Sequence, residues 1–266
     1  MSLMYHDVFH LDTNESGFQN IGAISYKLQS CEFEHQIRII ADFYESRKMD
    51  KNQIALTFDD GGESSYSIIA PILEKYNFKG YFFIITSLIG RKGFLNREQI
   101  INLHHRGHFI GAHSHTHPEN LTFLSVEEIE NEWSLSIETL NKILPEKIKV
   151  ASIPHGFYSE ESRIALYKNG IEKIFTSTPQ LKTEHNSDNQ YIIGRFPIKR
   201  NTREEFLIQL INHNLVIMIL EIINWRGLAM ARLALGNNYY IIRKVLLKIM
   251  NGGKTTVVCP VYNEVK

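Results

Sequence analysis

Between residues 54 and 198 the chain repeats one unit: a short apolar run, a turn, then a stretch whose apolar residues recur at helical spacing. Ile54, Leu56 and Phe58 alternate with Ala55 and Thr57, and Ile68, Ile69, Ile72, Leu73 and Tyr76 form a helical stripe behind Ser64, a candidate cap. The continuous apolar run Gly80 to Ile85 has the pattern of a strand covered on both faces. Asn96-x-x-Gln99 and Ser125-x-x-Glu128 are capping boxes, the second opening a helix with Val126, Ile129, Trp133, Ile137, Leu140 and Leu144 on one side. His108 to Ala112, Lys149 to Ile153, Ile171 to Thr176 and Gly194 to Ile198 complete the strands, with a helix from Ser159 to Asn169 and another capped by Asn201 and reaching Asn212. Ahead of them stand a strand from Ser2 to Val8 and a helix from Cys31 to Tyr44. This order predicts an α/β fold of parallel strands with right-handed crossovers, and enough units to close a barrel.

In such folds ligands sit beyond the carboxyl ends of the strands. The strand at 54–58 ends there in Asp59-Asp60-Gly61-Gly62. Adjacent carboxylates repel; a cation held by one of them relieves the repulsion and leaves the other free as a base. Alone, the run reads as a solvated Asp-Gly turn. The segment His113-Ser114-His115-Thr116-His117-Pro118, after another strand, adds metal-ligand chemistry and turns the reading toward a site. Histidines at i and i+4 meet in one helical turn or a tight loop; an extended segment would instead align His113, His115 and His117.

Thr57-Phe58-Asp59-Asp60-Gly61, followed by His113-Ser114-x-x-His117-Pro118, resembles the polysaccharide deacetylases with a NodB-type domain, carbohydrate esterase family 4, and the resemblance runs from about Met4 to Ile198. It implies an irregular (β/α) barrel of about seven parallel strands. It also implies Asp59 as catalytic base, with Asp60, His113 and His117 holding one divalent ion, zinc by default; His115 falls on a variable position. The implied activity is removal of N-acetyl groups from an N-acetylated sugar or polysaccharide, with a metal-activated water attacking the amide carbonyl. Deacetylase-fold hydrolysis of a non-sugar amide or cyclic imide, or a catalytically weak polysaccharide-binding domain, are the alternatives. Two departures stand out. No late Leu-His motif supplies a general acid, and His6, beside Tyr5, is the substitute. Ser152 stands where the family carries an Arg that orients the base, and Arg195 could supply that charge from elsewhere. Pro154, His155, Gly156, Tyr158 and Arg195 are the substrate-binding candidates.

With 29 basic and 29 acidic residues, net charge points to neither nucleic acid nor an anionic membrane as partner. Two cysteines are too few for a disulfide framework and suit a reducing compartment. The sequence shows no signal peptide, so a cytoplasmic location is expected, with peripheral membrane association open. Residues 1–212 are expected to form the barrel and 213–266 a mainly helical extension packing on the barrel or a partner. Leu215 to Leu235 is apolar, and Ile241 to Met250 is basic and amphipathic, fit for packing, for a homo-oligomer or polysaccharide-synthesis partner, or for a membrane surface. Thr255 to Glu264 resembles the opening strand of inverting glycosyltransferases.

Overall fold

The computed structural model describes residues 1–186 and 188–235. In chain order its elements are β1 (Ser2–Tyr5), β2 (Val8–Phe9), α1 (Ile21–Ile24), β3 (Leu28–Gln29), α2 (Ser30–Ser46), β4 (Ala55–Phe58), α3 (Ala70–Lys75) and β5 (Gly80–Ile84). There follow α4 (Arg97–His105), β6 (Phe109–Ala112), α5 (Val126–Ile143), β7 (Val150–Ser152), α6 (Glu160–Lys168) and β8 (Lys173–Phe175). The last are β9 (Glu184–His185), β10 (Tyr191–Ile193), β11 (Phe196–Pro197), α7 (Glu204–Ile211) and α8 (Leu215–Leu235).

One nine-stranded sheet runs in the order β11-β1-β4-β5-β6-β7-β8-β10-β9, parallel except where β9 meets β10. Its two ends belong to one stretch of chain. β10 pairs with β8 through Ile192 and Ile174, and β11, two residues later, pairs with β1 through Phe196 and Leu3. Residues 191–197 therefore act as one interrupted stave that joins the ends of the sheet. The result is an irregular (β/α) barrel whose staves are β1, β4, β5, β6, β7, β8 and this composite.

Alternation along β4 sorts its side chains between two compartments. Leu56 and Phe58 face the helix layer, where Phe58 packs on Tyr5, Phe82 and Phe33 of α2. Ala55 faces the other way, onto a smaller cluster of Phe83, Val150 and Phe175 that fills the barrel interior with Tyr81 and Ile193. Thr57 and Asp59 continue that inward face, so the lumen changes from apolar to polar toward the carboxyl ends of the strands.

The capping boxes at Asn96 and Ser125 form as expected. Two other expected caps do not. The Ser64 hydroxyl donates to Asp7 Oδ1 (2.8 Å) and accepts from the Val8 N–H (3.2 Å), and the helix behind it opens with a π turn at Ser65–Ile69. The cap position of α7 is Arg203, with no side-chain cap bond, and not Asn201.

Helix α8 turns sharply away from α7, at 111°. Met218 is buried, and Trp225 Cζ2 lies 3.6 Å from where a Cβ on Gly156 would stand, so the helix rests against the barrel rim. Leu215, Val216, Ile219, Leu220 and Ile223 remain exposed. No described helix is by itself long and apolar enough to cross a membrane. The segments Ile241 to Met250 and Thr255 to Glu264 lie outside the described residues.

Glu32, in the first turn of α2, supplies a pH-dependent term. Burial pushes its carboxyl up to about 7, against the opposing pull of Arg200. A carboxyl raised in the folded state stabilises the fold below its unfolded value, and that contribution is lost as pH rises toward 7. Glu32→Gln should remove this loss, so its melting temperature relative to the parent should rise between pH 5 and pH 8. A constant difference across that range would exclude Glu32 as the source.

Candidate metal and acid–base site

β4 delivers the acid pair. The Asp59 N–H still bonds to the Tyr5 carbonyl (3.2 Å), and the chain then turns at Asp60, whose φ is +75°. Gly62 can only be glycine, because a Cβ there would stand 2.0 Å from Asp7 Oδ1. Asp7 thereby supports the turn from below, its Oδ1 accepting from Ser16 and Ser64.

Asp59 is buried against Arg195, which is fully buried itself. The guanidinium grips both carboxylate oxygens, Nη1 to Oδ1 at 2.7 Å and Nη2 to Oδ2 at 2.8 Å. Its remaining N–H groups reach Thr57 Oγ1 (3.1 Å), Ser152 Oγ (2.8 Å) and the Thr176 carbonyl (3.0 Å). Every donor of the fork is thus used. Arg195 therefore serves Asp59 from inside the barrel and offers no group to a surface open to substrate. Burial would raise the Asp59 carboxyl, but Arg195 and His113 hold it below the usual carboxylate range.

The histidine segment is neither a helical turn nor an extended run. Ser114 and His117 both have positive φ, and the turn is pinned by His117 N–H to Ser114 Oγ (3.1 Å) and by Glu132, which accepts from the N–H groups of His115 and Thr116. His113 and His117 meet at Asp60, with Nε2 atoms 3.5 and 3.6 Å from Asp60 Oδ1. His115 faces elsewhere, Nδ1 lying 2.9 Å from Thr86 Oγ1. His113 Nδ1 lies 2.9 Å from the Ser152 carbonyl, which can only accept; Nδ1 therefore carries a proton and Nε2 is the nitrogen directed at the cluster. Burial opposes a second proton on this ring, but Asp59 and Asp60 outweigh it and raise its pKa, and a metal ion bound at Nε2 would displace that proton. Ligand atoms of Asp60, His113 and His117 all lie within 4.8 Å of one another. Burial alone would raise the Asp60 carboxyl, yet the surrounding imidazoles hold it low; burial pushes His117 down to about 3, so its ring is neutral. A low carboxylate and a neutral imidazole are the protonation states that ligands need.

The other candidates sit around this cluster at different removes. His155, at the turn Pro154–Gly156 after β7, has φ +55° and its ring centroid is 4.4 Å from that of His117. Tyr158 packs against the helix-layer core. His6 leaves the end of β1, its ring 4.5 Å from that of Tyr26, with Nδ1 buried and without a hydrogen-bond partner. A proton on His6 would lower both the Asp59 and the Asp60 carboxyl. The sequence offers Thr57 only as a strand and motif residue and gives no sign of Glu132; period-two alternation puts Thr57 on the face of Asp59, whereas nothing local links Glu132 to a loop behind it in the chain.

Residues 46–174 match the family model for polysaccharide deacetylase. The poly-beta-1,6-N-acetyl-D-glucosamine N-deacetylase of Staphylococcus epidermidis is 26% identical over 179 residues, 62% of this chain and 61% of that protein. Among solved structures, the deacetylase PplD of Streptococcus pyogenes, in complex with acetate, superposes with a TM-score of 0.61 at 23% identity, over 78% of this chain and 96% of that one. A polysaccharide deacetylase from Bacillus cereus gives 0.64 at 21% identity, over 79% and 68%. The chain spans about half to three fifths of the length of the first curated relatives that it matches. The likeness to the solved structures is one of fold, and it extends past residue 174 to the barrel as a whole. Over residues 46–174 the chain matches the polysaccharide deacetylase family, and the barrel around that stretch has the fold of the solved deacetylases.

Proposed function

We propose that the protein hydrolyses the N-acetyl groups of an N-acetylated polysaccharide with the help of one divalent ion. The observation that carries this reading is the convergence of Asp60, His113 and His117 beside Asp59, a carboxylate clamped by Arg195. The donor set fits such an ion: one carboxylate oxygen and two imidazole nitrogens are the three-ligand set of a catalytic site with an open position, zinc being the default. When bound there, the ion would supply Lewis acidity toward the amide carbonyl.

The chain's own groups divide the rest. Asp59 takes the proton of the attacking water, and Arg195 fixes its orientation without using it up, since Oδ1 accepts a single bond and keeps a lone pair. His6 gives a proton to the departing amine, which is too poor a leaving group to go as an anion. Pro154, His155 and Gly156 border the cluster from β7 and are suited to the acyl side. The missing late Leu-His motif favours a weak binding domain; the complete set of Asp59, Asp60, His113 and His117, with Arg195 clamped on Asp59 where the third motif lacks its Arg, supports the active reading.

The test is acetate release from N-acetylglucosamine oligomers alongside metal analysis. Release should stop on chelation and return with added zinc or another divalent ion. Protein with a filled metal site and no acetate release from any N-acetylated oligomer would refute the reading. In the same assay His6→Ala should keep its metal but lose roughly 10²–10⁴-fold in turnover. The loss should shrink on an activated ester, whose leaving group needs no proton; equal losses on both would remove His6 as the acid.

A further inference from the structure

The segment from His10 to Lys27 is tied down more firmly than a surface loop requires. The Glu15 carboxylate accepts from the N–H groups of His10, Leu11 and Asp12, each at 2.8 Å. The buried Lys27 ammonium donates to the carbonyls of Thr13 (2.7 Å) and Ser16. Gly17 N–H bonds to the Gly93 carbonyl (2.8 Å), and the Glu63 N–H bonds to the same oxygen. That shared carbonyl locks the loop to the turn bearing Phe94 and to the start of the helix behind the acid pair. Burying a lysine is expensive unless its donors are satisfied, so an arrangement that spends one on a loop needs a reason.

What the loop presents is Phe18. Its ring centroid lies 5.6 Å from that of His117 and 5.2 Å from that of Phe94, which it meets edge to face. Both phenylalanines remain partly exposed, whereas the phenylalanines of the core, such as Phe33, Phe58 and Phe82, are fully enclosed. A rigidly held, partly open aromatic pair beside a candidate metal ligand is the kind of apolar wall that a binding cleft needs alongside its few polar groups. A pyranose ring has an apolar face of C–H groups that packs on the π face of an aromatic ring, whose quadrupole attracts those hydrogens.

We propose that Phe18, backed by Phe94, is a stacking platform for a sugar ring of the polymer, placed beside His117. This rests on the polysaccharide reading given above, and it assigns the first loop of the chain, ahead of the residues matched by the family model, to substrate recognition.

Phe18→Ala, Phe18→Leu and Phe18→Trp separate stacking from bulk. With N-acetylglucosamine oligomers and 4-nitrophenyl acetate as probes, the ratio of kcat/KM for oligomer over aryl acetate should fall about tenfold in the Ala and Leu variants, through KM. The Trp variant should stay near the parent, and all three should keep their metal. Binding of the fully deacetylated glucosamine oligomer, measured by calorimetry, should weaken in parallel, because the platform reads the ring and not the acetyl group. An unchanged ratio, equal losses on both substrates, or lost metal would overturn the proposal. A parent protein that binds the glucosamine oligomer through Phe18 yet releases no acetate would leave the platform standing and refute the activity. Binding of neither oligomer would overturn both.

Discussion

His113→Ala should strip the protein of its divalent ion, while His115→Ala should retain it in full. The two residues are two positions apart, on the same side of an extended chain, and spacing alone could not choose between them. The turn does. Positive φ at Ser114 and His117 folds the segment so that His113 and His117 both reach Asp60, and His115 is left on Thr86. Loss of one ligand leaves a carboxylate and one imidazole, too few to hold the ion against water. Turnover should vanish with it. His115→Ala should cost little beyond its hydrogen bond to Thr86, since the Glu132 contacts use backbone N–H groups that alanine retains. Metal analysis of both proteins decides the matter. Equal losses would mean that the wrong pair of histidines has been assigned.

The legibility of the site followed the locality of its causes. Strand β4 and the acid pair could be read from the nine residues Ile54 to Gly62, since alternation and the chemistry of adjacent carboxylates are both local. The capping boxes of α4 and α5 were equally plain, each being a reciprocal bond across one helical turn. Ser64 had the same appearance and failed as a cap because a buried carboxylate 57 positions away in the chain, Asp7, competes for its hydroxyl. The composite stave at 191–197 was seen only in its second half. Its first half, Tyr191–Ile193, is too short to show a period, and its pairing with β8 is set by closure of the ring. The partner of Asp59 lay at the limit of inference: the missing Arg at Ser152 raised the need for a charge, and Arg195 was a candidate for it, but only the fold brings a residue 136 positions away onto the same carboxylate.

That pair gives the second large effect, and the two partners should fail differently. Arg195→Met leaves Asp59 buried without its bidentate partner, a change that typically costs about 3–5 kcal/mol of stability. Asp59→Asn keeps an acceptor oxygen for one arm of the guanidinium but turns the other half of the fork into an NH2 group, donor against donor. It should destabilise as well, and it should abolish turnover while leaving Asp60, His113 and His117 to hold their metal. The double variant restores neither base nor orientation, yet it removes both uncompensated charges. Denaturant titration should therefore find it more stable than the sum of the single losses by about 1–3 kcal/mol, the scale for residues in direct contact. Additive losses would show that Arg195 acts mainly through Thr57, Ser152 and Thr176 and not through Asp59. An Asp59→Asn protein with full metal and ordinary acetate release would sink Asp59 as the base. The oxygen that Arg195 holds in place would then be a structural acceptor alone.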